Sequence, residues 1–234
     1  VRNGANMSTC LGMTELCWGD VGLALSIPRQ GLGNAAITAV ADAEQKKRFK
    51  GAWAAMAITE PGAGSDSANI RATARLDGDE WVINGDKRFN TGMHHATHDM
   101  VYVRTSGEAG DADGITCFLV PTDSPGVELG TFWWTFNMPT DHPDVHFTDV
   151  RVGDDAIFGE LGRGLELANM FVHENRIRQA ASSLGAAQHC INVAVEYAKE
   201  RKPFGKPLWL NQAIQFPLAE LQTEAAMLRA LIRQ

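Results

Sequence analysis

The stretch Ala57-Ile58-Thr59-Glu60-Pro61-Gly62-Ala63-Gly64-Ser65-Asp66 holds more glycine, hydroxyl and carboxylate than a chain connection needs. Gly supplies positive φ and Pro presets φ near −65°, so one or two such residues turn a chain. A run of them offers backbone without side chains, which a ligand can approach closely, and N–H groups that converge on an oxygen or a phosphate. Taken alone the stretch reads most simply as a connecting loop, and its surroundings must decide. Met93-His94-His95-Ala96-Thr97-His98 raises a metal question. Adjacent histidines point different ways on a strand, and no carboxylate or cysteine completes a ligand set, so no metal is expected there. Cys10, Cys17, Cys117 and Cys190 are scattered without a Cys-x-x-Cys pair, which fits reduced thiols rather than disulfides or zinc.

A chain of 234 residues with 44% hydrophobic and 21% charged residues has the composition of a globular protein with a sizeable core. The net charge of −7 and the dispersed Lys and Arg give no footprint for nucleic acid. No apolar run reaches the length of a membrane span, and no apolar segment follows a basic start, so the expectation is a cytoplasmic protein without a membrane span.

The elements that must position the loop follow from periodicity. Leu16, Cys17, Val21, Leu23, Ala24 and Leu25, then Ile37, Val40 and Ala41, have helical spacing, broken by the stretch 27–34; two helices are predicted. From Trp53 to Val152 the texture changes to short β-branched and aromatic runs. Ile70, Ala72, Ala74 and Leu76 alternate into an Asp-Gly-Asp turn, followed by Trp81, Ile83 and an expected Asn84-Gly85 turn. Residues 100–105, 115–121 and 144–152 are further strand candidates. Helix returns after Leu161, with Leu184, Ala187, Ile191, Val195 and Ala198 three and four apart, and a second helix starts near Gln212. That helix has no Gly or Pro stop, and the chain starts without Met directly before a helix. The expectation is a piece truncated at both ends.

In this setting residues 58–66, the stretch Ile83-Asn84-Gly85-Asp86-Lys87-Arg88-Phe89-Asn90-Thr91, and residues 162–221 resemble three ordered blocks of the acyl-CoA dehydrogenase family, across essentially the whole chain. The resemblance implies an α+β fold: the end of an N-terminal helical domain (1–50), a middle antiparallel β-domain (51–155) and the first helices of a C-terminal bundle (156–234). It implies an FAD-dependent oxidoreductase of fatty acid metabolism that desaturates an acyl-CoA thioester and hands electrons to an electron-transferring flavoprotein. An acyl-CoA oxidase or flavin monooxygenase of the same fold, and a non-catalytic subunit or fragment, stay open beside it.

Carried over by position, the resemblance implies flavin contacts from Met56, Ile58, Thr59, Gly64 and Ser65, with Ser65 also toward acyl-CoA. The family's second contact segment, Trp-Ile-Thr or Trp-Ile-Ser, reads here Phe89-Asn90-Thr91. Phe keeps an apolar face and Thr91 the hydroxyl, while the indole N–H is lost. Arg201, Phe204 and Gln212 match the segment that in the family reaches the adenosine diphosphate half of a neighbouring subunit's FAD, which implies a homodimer or homotetramer. Arg suits it, because its fork binds phosphate oxygens in pairs. Alone, Arg201 reads as a cation at a helix C-terminus.

The family's catalytic Glu lies late in the C-terminal bundle or immediately before the motif Arg, here Arg176, the expected acyl-CoA contact. The preceding residue is Asn175, an amide that accepts no proton at neutral pH. Glu174 is one position back, turned by about 100° around a helix. No catalytic residue is therefore assigned, and the base is expected in later helices. Trp133, Trp134 and Phe136 read as β-domain core or interface residues.

Overall fold

A computed structural model describes residues 5–26, 32–135 and 141–234. The chain forms two compact units, Arg29–Val172 on one hand and Val1–Pro28 with His173–Gln234 on the other.

Three helices open the chain where periodicity predicts two. They are α1 (Ala5–Ser26), α2 (Leu32–Val40) and α3 (Ala43–Arg48). α1 is kinked at Asp20, whose φ of −163° is extended and whose carboxylate accepts from Leu23 N at 2.9 Å, capping the second half. Most of the predicted break at 27–34 lies outside the described residues. α3 carries a reciprocal cap between Asp42 and Gln45 that the apolar pattern does not reveal.

The larger unit is built on an eight-stranded sheet. Its strands are β1 (Ala54–Ala57), β2 (Thr73–Asp77), β3 (Glu80–Lys87), β4 (His98–Arg104), β5 (Ile115–Pro121), β6 (Val127–Phe132), β7 (Pro143–Gly153) and β8 (Ile157–Phe158). The order is β6-β7-β3-β2-β4-β5-β8, with β1 also on β4. The sheet is antiparallel except where β1 and β2 pair with β4. The predicted hairpin joins Asp77 to Glu80, whereas Asn84-Gly85 is no turn: β3 runs on to Lys87 along β7, and the register shifts at Ile83/Gly85 as a bulge. A Cβ on Gly85, whose φ is +143°, would sit 2.4 Å from Ala72 Cβ, so the glycine serves close approach of two strands.

β4 and β5 are covered on both sides, and their alternation sorts two cores. Val101, Val103, Phe118 and Val120 pack with Ile83, Val145 and Phe147. Met100, Tyr102, Cys117 and Leu119 pack with Ala36 and Ile37 of α2 and with Ala168 and Phe171 of α4 (Gly164–Glu200).

In the smaller unit, α4 packs on α5 (Gln212–Ile232) through Leu184, Ile191 and Ala225. Ala187, predicted on the apolar stripe, is exposed. Gly185 lets α1 cross closely, since a Cβ there would lie 2.1 Å from Thr14 O. No helix among the described residues is long and apolar enough to cross a membrane.

Candidate functional site

The loop after β1 closes on itself. Glu60 N donates to Ala63 O at 2.9 Å and Ala63 N to Glu60 O at 3.1 Å, a four-residue turn that Pro61 suits at its second position. Glu60 turns its side chain inward, only 8% exposed. Its Oε2 accepts from Arg71 N at 2.7 Å, and Oε1 accepts from Ala72 N at 3.0 Å and Lys87 Nζ at 2.8 Å. Lys87 Nζ also donates to Ile58 O at 3.1 Å, and Arg88 N donates to Thr59 O at 2.8 Å. The loop is thereby pinned to the end of β3. Burial pushes the Lys87 ammonium's pKa down, and the Glu60 carboxylate beside it acts in the opposite direction.

The outer side of the loop is open. Gly62 and Gly64 do not adopt left-handed φ, and a Cβ on either would meet nothing within 4 Å. Neither backbone conformation nor packing inside the described residues requires glycine at these positions. The Thr59 and Ser65 hydroxyls and the N–H groups of Gly62, Gly64 and Ser65 have no partner among the described residues. Ser65 and Gly64 are exposed; Met56, Ile58 and Thr59 are half-buried. A bare backbone edge with idle donors fits the oxygens and ring edge of a flavin.

The segment after β3 lies beside it. Phe89 has φ of +58°, costly for a bulky residue, and is 48% exposed. The Arg88 guanidinium carbon stands 4.6 Å from the centroid of the Trp133 ring and 5.9 Å from that of Phe89. The guanidinium also grips Asp144 with Nε to Oδ1 at 3.0 Å and Nη2 to Oδ2 at 3.3 Å. Burial works against the Asp144 carboxylate, but Arg88, Trp133 and the charge of His146 together outweigh it and hold the pKa below the usual range. Thr91 Oγ1 lies 2.8 Å from His142 Nδ1, so its hydroxyl is already engaged. Asn90 faces inward with no exposed surface and donates from Nδ2 to Asp99 Oδ2 at 2.6 Å.

The aromatic stretch divides between the two expected roles, core and interface. Trp133 is half-buried, Trp134 is 83% exposed rather than core, and Phe136 lies outside the described residues. His94 and His95 share one 3-10 turn, Met93–His95, with ring centroids 4.0 Å apart, instead of pointing apart on a strand. Among the described residues no group of three His, Cys, Asp or Glu could hold a metal.

The structure therefore brings Met56, Ile58, Thr59, Gly64 and Ser65 together with Phe89 and Thr91 in one unit, and turns the Asn90 side chain away. Glu60, Lys87, Arg88, Asp99, His142 and Asp144 are the supporting residues that motif reading missed. A signal existed for Lys87, since it falls at an inward position of β3 with Trp81 and Ile83, where a cation needs a partner.

Arg176, Arg201, Phe204 and Gln212 belong to the other unit, and all four are exposed. Arg201 follows α4 directly, and Leu208 N donates to its carbonyl at 2.8 Å. Phe204 is fully exposed at φ of +54°. Asn175 is half-buried, and Glu174 lies 3.6 Å from Arg178 one turn on.

Comparison with known proteins decides the family. The domain described as acyl-CoA dehydrogenase, middle domain, matches residues 55–150, and that described as acyl-CoA dehydrogenase, C-terminal domain, matches 162–234. The chain belongs to the acyl-CoA dehydrogenase family. It is 36% identical over 222 residues to the 3-(aryl)acrylate reductase of Clostridium sporogenes, covering 92% of this chain and 58% of that protein. Butyryl-CoA dehydrogenase from Megasphaera elsdenii superposes with a TM-score of 0.86 at 30% identity, over 99% of this chain and 63% of the other. Glutaryl-CoA dehydrogenase from Mycobacterium smegmatis, solved in complex with FADH2, gives 0.79 at 28% identity over 95% of this chain and 58% of the other. The chain spans about half the length of the curated relatives it matches. The helical, antiparallel-rich β and helical parts expected from the sequence are those of these neighbours.

Proposed function

We propose that this chain belongs to an FAD enzyme that desaturates an acyl-CoA thioester between its α and β carbons. The observation that carries the reading is the bare edge at Gly62 and Gly64, with idle donors at Thr59 and Ser65, in a loop whose inner side is heavily pinned. A pinned loop with an open, side-chain-free outer edge is pre-organised for a ligand rather than for its own packing.

FAD, when bound, supplies the acceptor for the β-hydride. The chain's own residues bind and orient. Gly64 N–H, Ser65 N–H and the Thr59 and Ser65 hydroxyls donate hydrogen bonds to it, while Met56, Ile58 and Phe89 offer apolar contact. Asn90 contributes through its backbone, and Thr91 through its hydroxyl in concert with His142. Ser65 and Arg176 contact the acyl-CoA. Arg201, Phe204 and Gln212 serve the diphosphate half of a cofactor shared with a second copy in a homodimer or homotetramer. A strained phenyl ring held entirely in water, as at Phe204, supports a role that a partner completes. Electrons pass to an electron-transferring flavoprotein, and the setting is the cytoplasm.

The likeness to a 3-(aryl)acrylate reductase favours a second reading, hydrogenation of an enoyl double bond carrying an aryl group. One experiment addresses both readings. The full-length protein is purified, its flavin absorbance recorded, and a panel of acyl-CoA thioesters added without oxygen. Bleaching by saturated thioesters supports desaturation, and reoxidation of the dithionite-reduced protein by an arylacrylyl thioester supports reduction. A colourless protein that does not take up FAD overturns both. Ser65→Val, which keeps volume and removes the hydroxyl, should weaken flavin retention or acyl-CoA affinity; no change in either counts against Ser65.

A further inference from the structure

Asn90 and Asp99, inside the Arg29–Val172 unit, each keep a side-chain oxygen without a donor among the described residues. Asn90 and Asp99 are both fully buried and share the bond from Asn90 Nδ2 to Asp99 Oδ2. Their other side-chain oxygens, Asn90 Oδ1 and Asp99 Oδ1, have no partner among the described residues. Each unpaired buried acceptor forfeits its hydration without replacement. A single proton removes both defects. A neutral Asp99 carries an Oδ1–H that can donate to Asn90 Oδ1, which closes acid and amide into a ring of two hydrogen bonds.

The pair sits where backbone strain needs support. Phe89 holds its left-handed φ only if its neighbours over-determine it. Before it, Arg88 N is fixed on Thr59 O; after it, Asn90 N is fixed on Pro143 O at 3.0 Å. The Asn90 side chain adds an anchor reaching β4. Asn90 is also this chain's own departure, since the resembled segment carries Ile there.

We propose that Asp99 is a positioning residue for the cofactor segment Phe89-Asn90-Thr91, gripping Asn90 as a neutral acid paired with an amide. The proposal rests on the flavin reading of that segment. The groups around Asp99 are consistent with a neutral acid. Lys87 on β3 is the cation nearby, and its ammonium is already committed to Glu60 at 2.8 Å. Cys117 on β5 and Tyr102 on β4 are both held neutral by burial, which drives their pKa values up. Burial pushes the Asp99 carboxyl itself up to about 7, against the opposing pull of Asn90, Lys87 and the Met100 N–H. The ring of hydrogen bonds therefore opens as pH rises through neutrality.

The test uses the full-length protein. FAD affinity is measured by flavin fluorescence between about pH 5.5 and about pH 8.5, a range that brackets the shifted carboxyl. An infrared pH titration of the same protein, with and without FAD, looks for a protonated-carboxyl band. Wild type should lose FAD affinity several-fold toward the alkaline end, with the band fading over the same range. Asp99→Asn keeps a donor toward Asn90 at every pH, so its affinity should stay high, its profile flat and the band absent. Asp99→Leu should bind FAD weakly at every pH, and Asn90→Ile in that background should restore binding without pH dependence. No protonated-carboxyl band in wild type overturns the pair. A band that titrates while FAD affinity ignores both pH and the variants overturns the positioning role. A protein that binds no FAD at any pH overturns the flavin reading and the positioning role with it, and the infrared band still decides the pair.

Discussion

Lys87 Nζ lies 2.8 Å from Glu60 Oε1, and the lysine side chain has no exposure to solvent. The pair joins the loop after β1 to the last residue of β3, so it sets the spacing of the two segments proposed to hold the cofactor. Glu60 is satisfied by two backbone N–H groups besides the ammonium, and Lys87 by one carbonyl besides the carboxylate. Such coverage is what makes a buried ion pair tolerable.

Removing one partner should be costly. Lys87→Met leaves the Glu60 carboxylate buried without its counter-charge, and breaking a buried pair on one side typically costs about 3–5 kcal/mol. Urea unfolding should show that loss, and the Lys87→Met, Glu60→Gln double variant should lose less than the two single changes added together. Additive losses would show that the pair carries no coupling.

Two glycines separate fold from site. Gly85→Ala puts a Cβ 2.4 Å from Ala72 Cβ and 2.6 Å from Ala72 Cα at φ of +143°, where the neighbour cannot retreat. Strain and overpacking together should cost about 2–6 kcal/mol. Gly64→Ala meets nothing and needs no left-handed backbone, so its stability should stay within about 0.5 kcal/mol of wild type. Its FAD affinity should nonetheless fall, because the methyl projects from the edge proposed for the flavin. Unaltered FAD affinity in Gly64→Ala would count against that edge.

The order of helical, β and helical parts was legible because periodicity changes with the element, and β4, β5 and β7 stood out as runs of β-branched and aromatic residues. Asn84-Gly85 misled: the dipeptide that usually makes a tight turn here makes a bulge, since pairing with β7 continues through it to Lys87. The loop at residues 58–66 was visible from glycine density alone. Its support was not. Glu60 and Lys87 are 27 residues apart, Arg88 and Asp144 56 apart, and no local pattern joins them. Asp99 was hidden for the same reason, because only the fold shows that a carboxylate within a strand faces an amide instead of water.

The Asp99 carboxyl makes stability depend on pH in a definite direction. Its pKa is raised to about 7 in the folded chain, against an ordinary value of about 3.9. The folded state then holds the proton more tightly than the unfolded state, so stability is fully present below about pH 4 and is lost as pH rises through about 7. Asp99→Asn has nothing to titrate there. Its stability relative to wild type should climb between those limits and level off above, by an amount on the order of a few kcal/mol. Urea unfolding of both proteins across that range is the measurement, and parallel curves would sink the assignment.

Glu174 should not be the base. It lies 3.6 Å from Arg178 on the same helix, and its side chain is only 29% exposed. The position that the resemblance implies for a base within these residues is Asn175, whose amide has no useful basicity, and reaching it from Glu174 requires about 100° of rotation around α4. A general base must come within hydrogen-bond reach of the proton it takes, and geometry precedes pKa in that requirement. In the full-length protein, anaerobic bleaching of the flavin by acyl-CoA thioesters should therefore proceed in Glu174→Gln within a few-fold of the wild-type rate. A loss of about a hundredfold or more, the usual contribution of a positioned base, would make Glu174 that base and require α4 to turn its 174 face to the substrate.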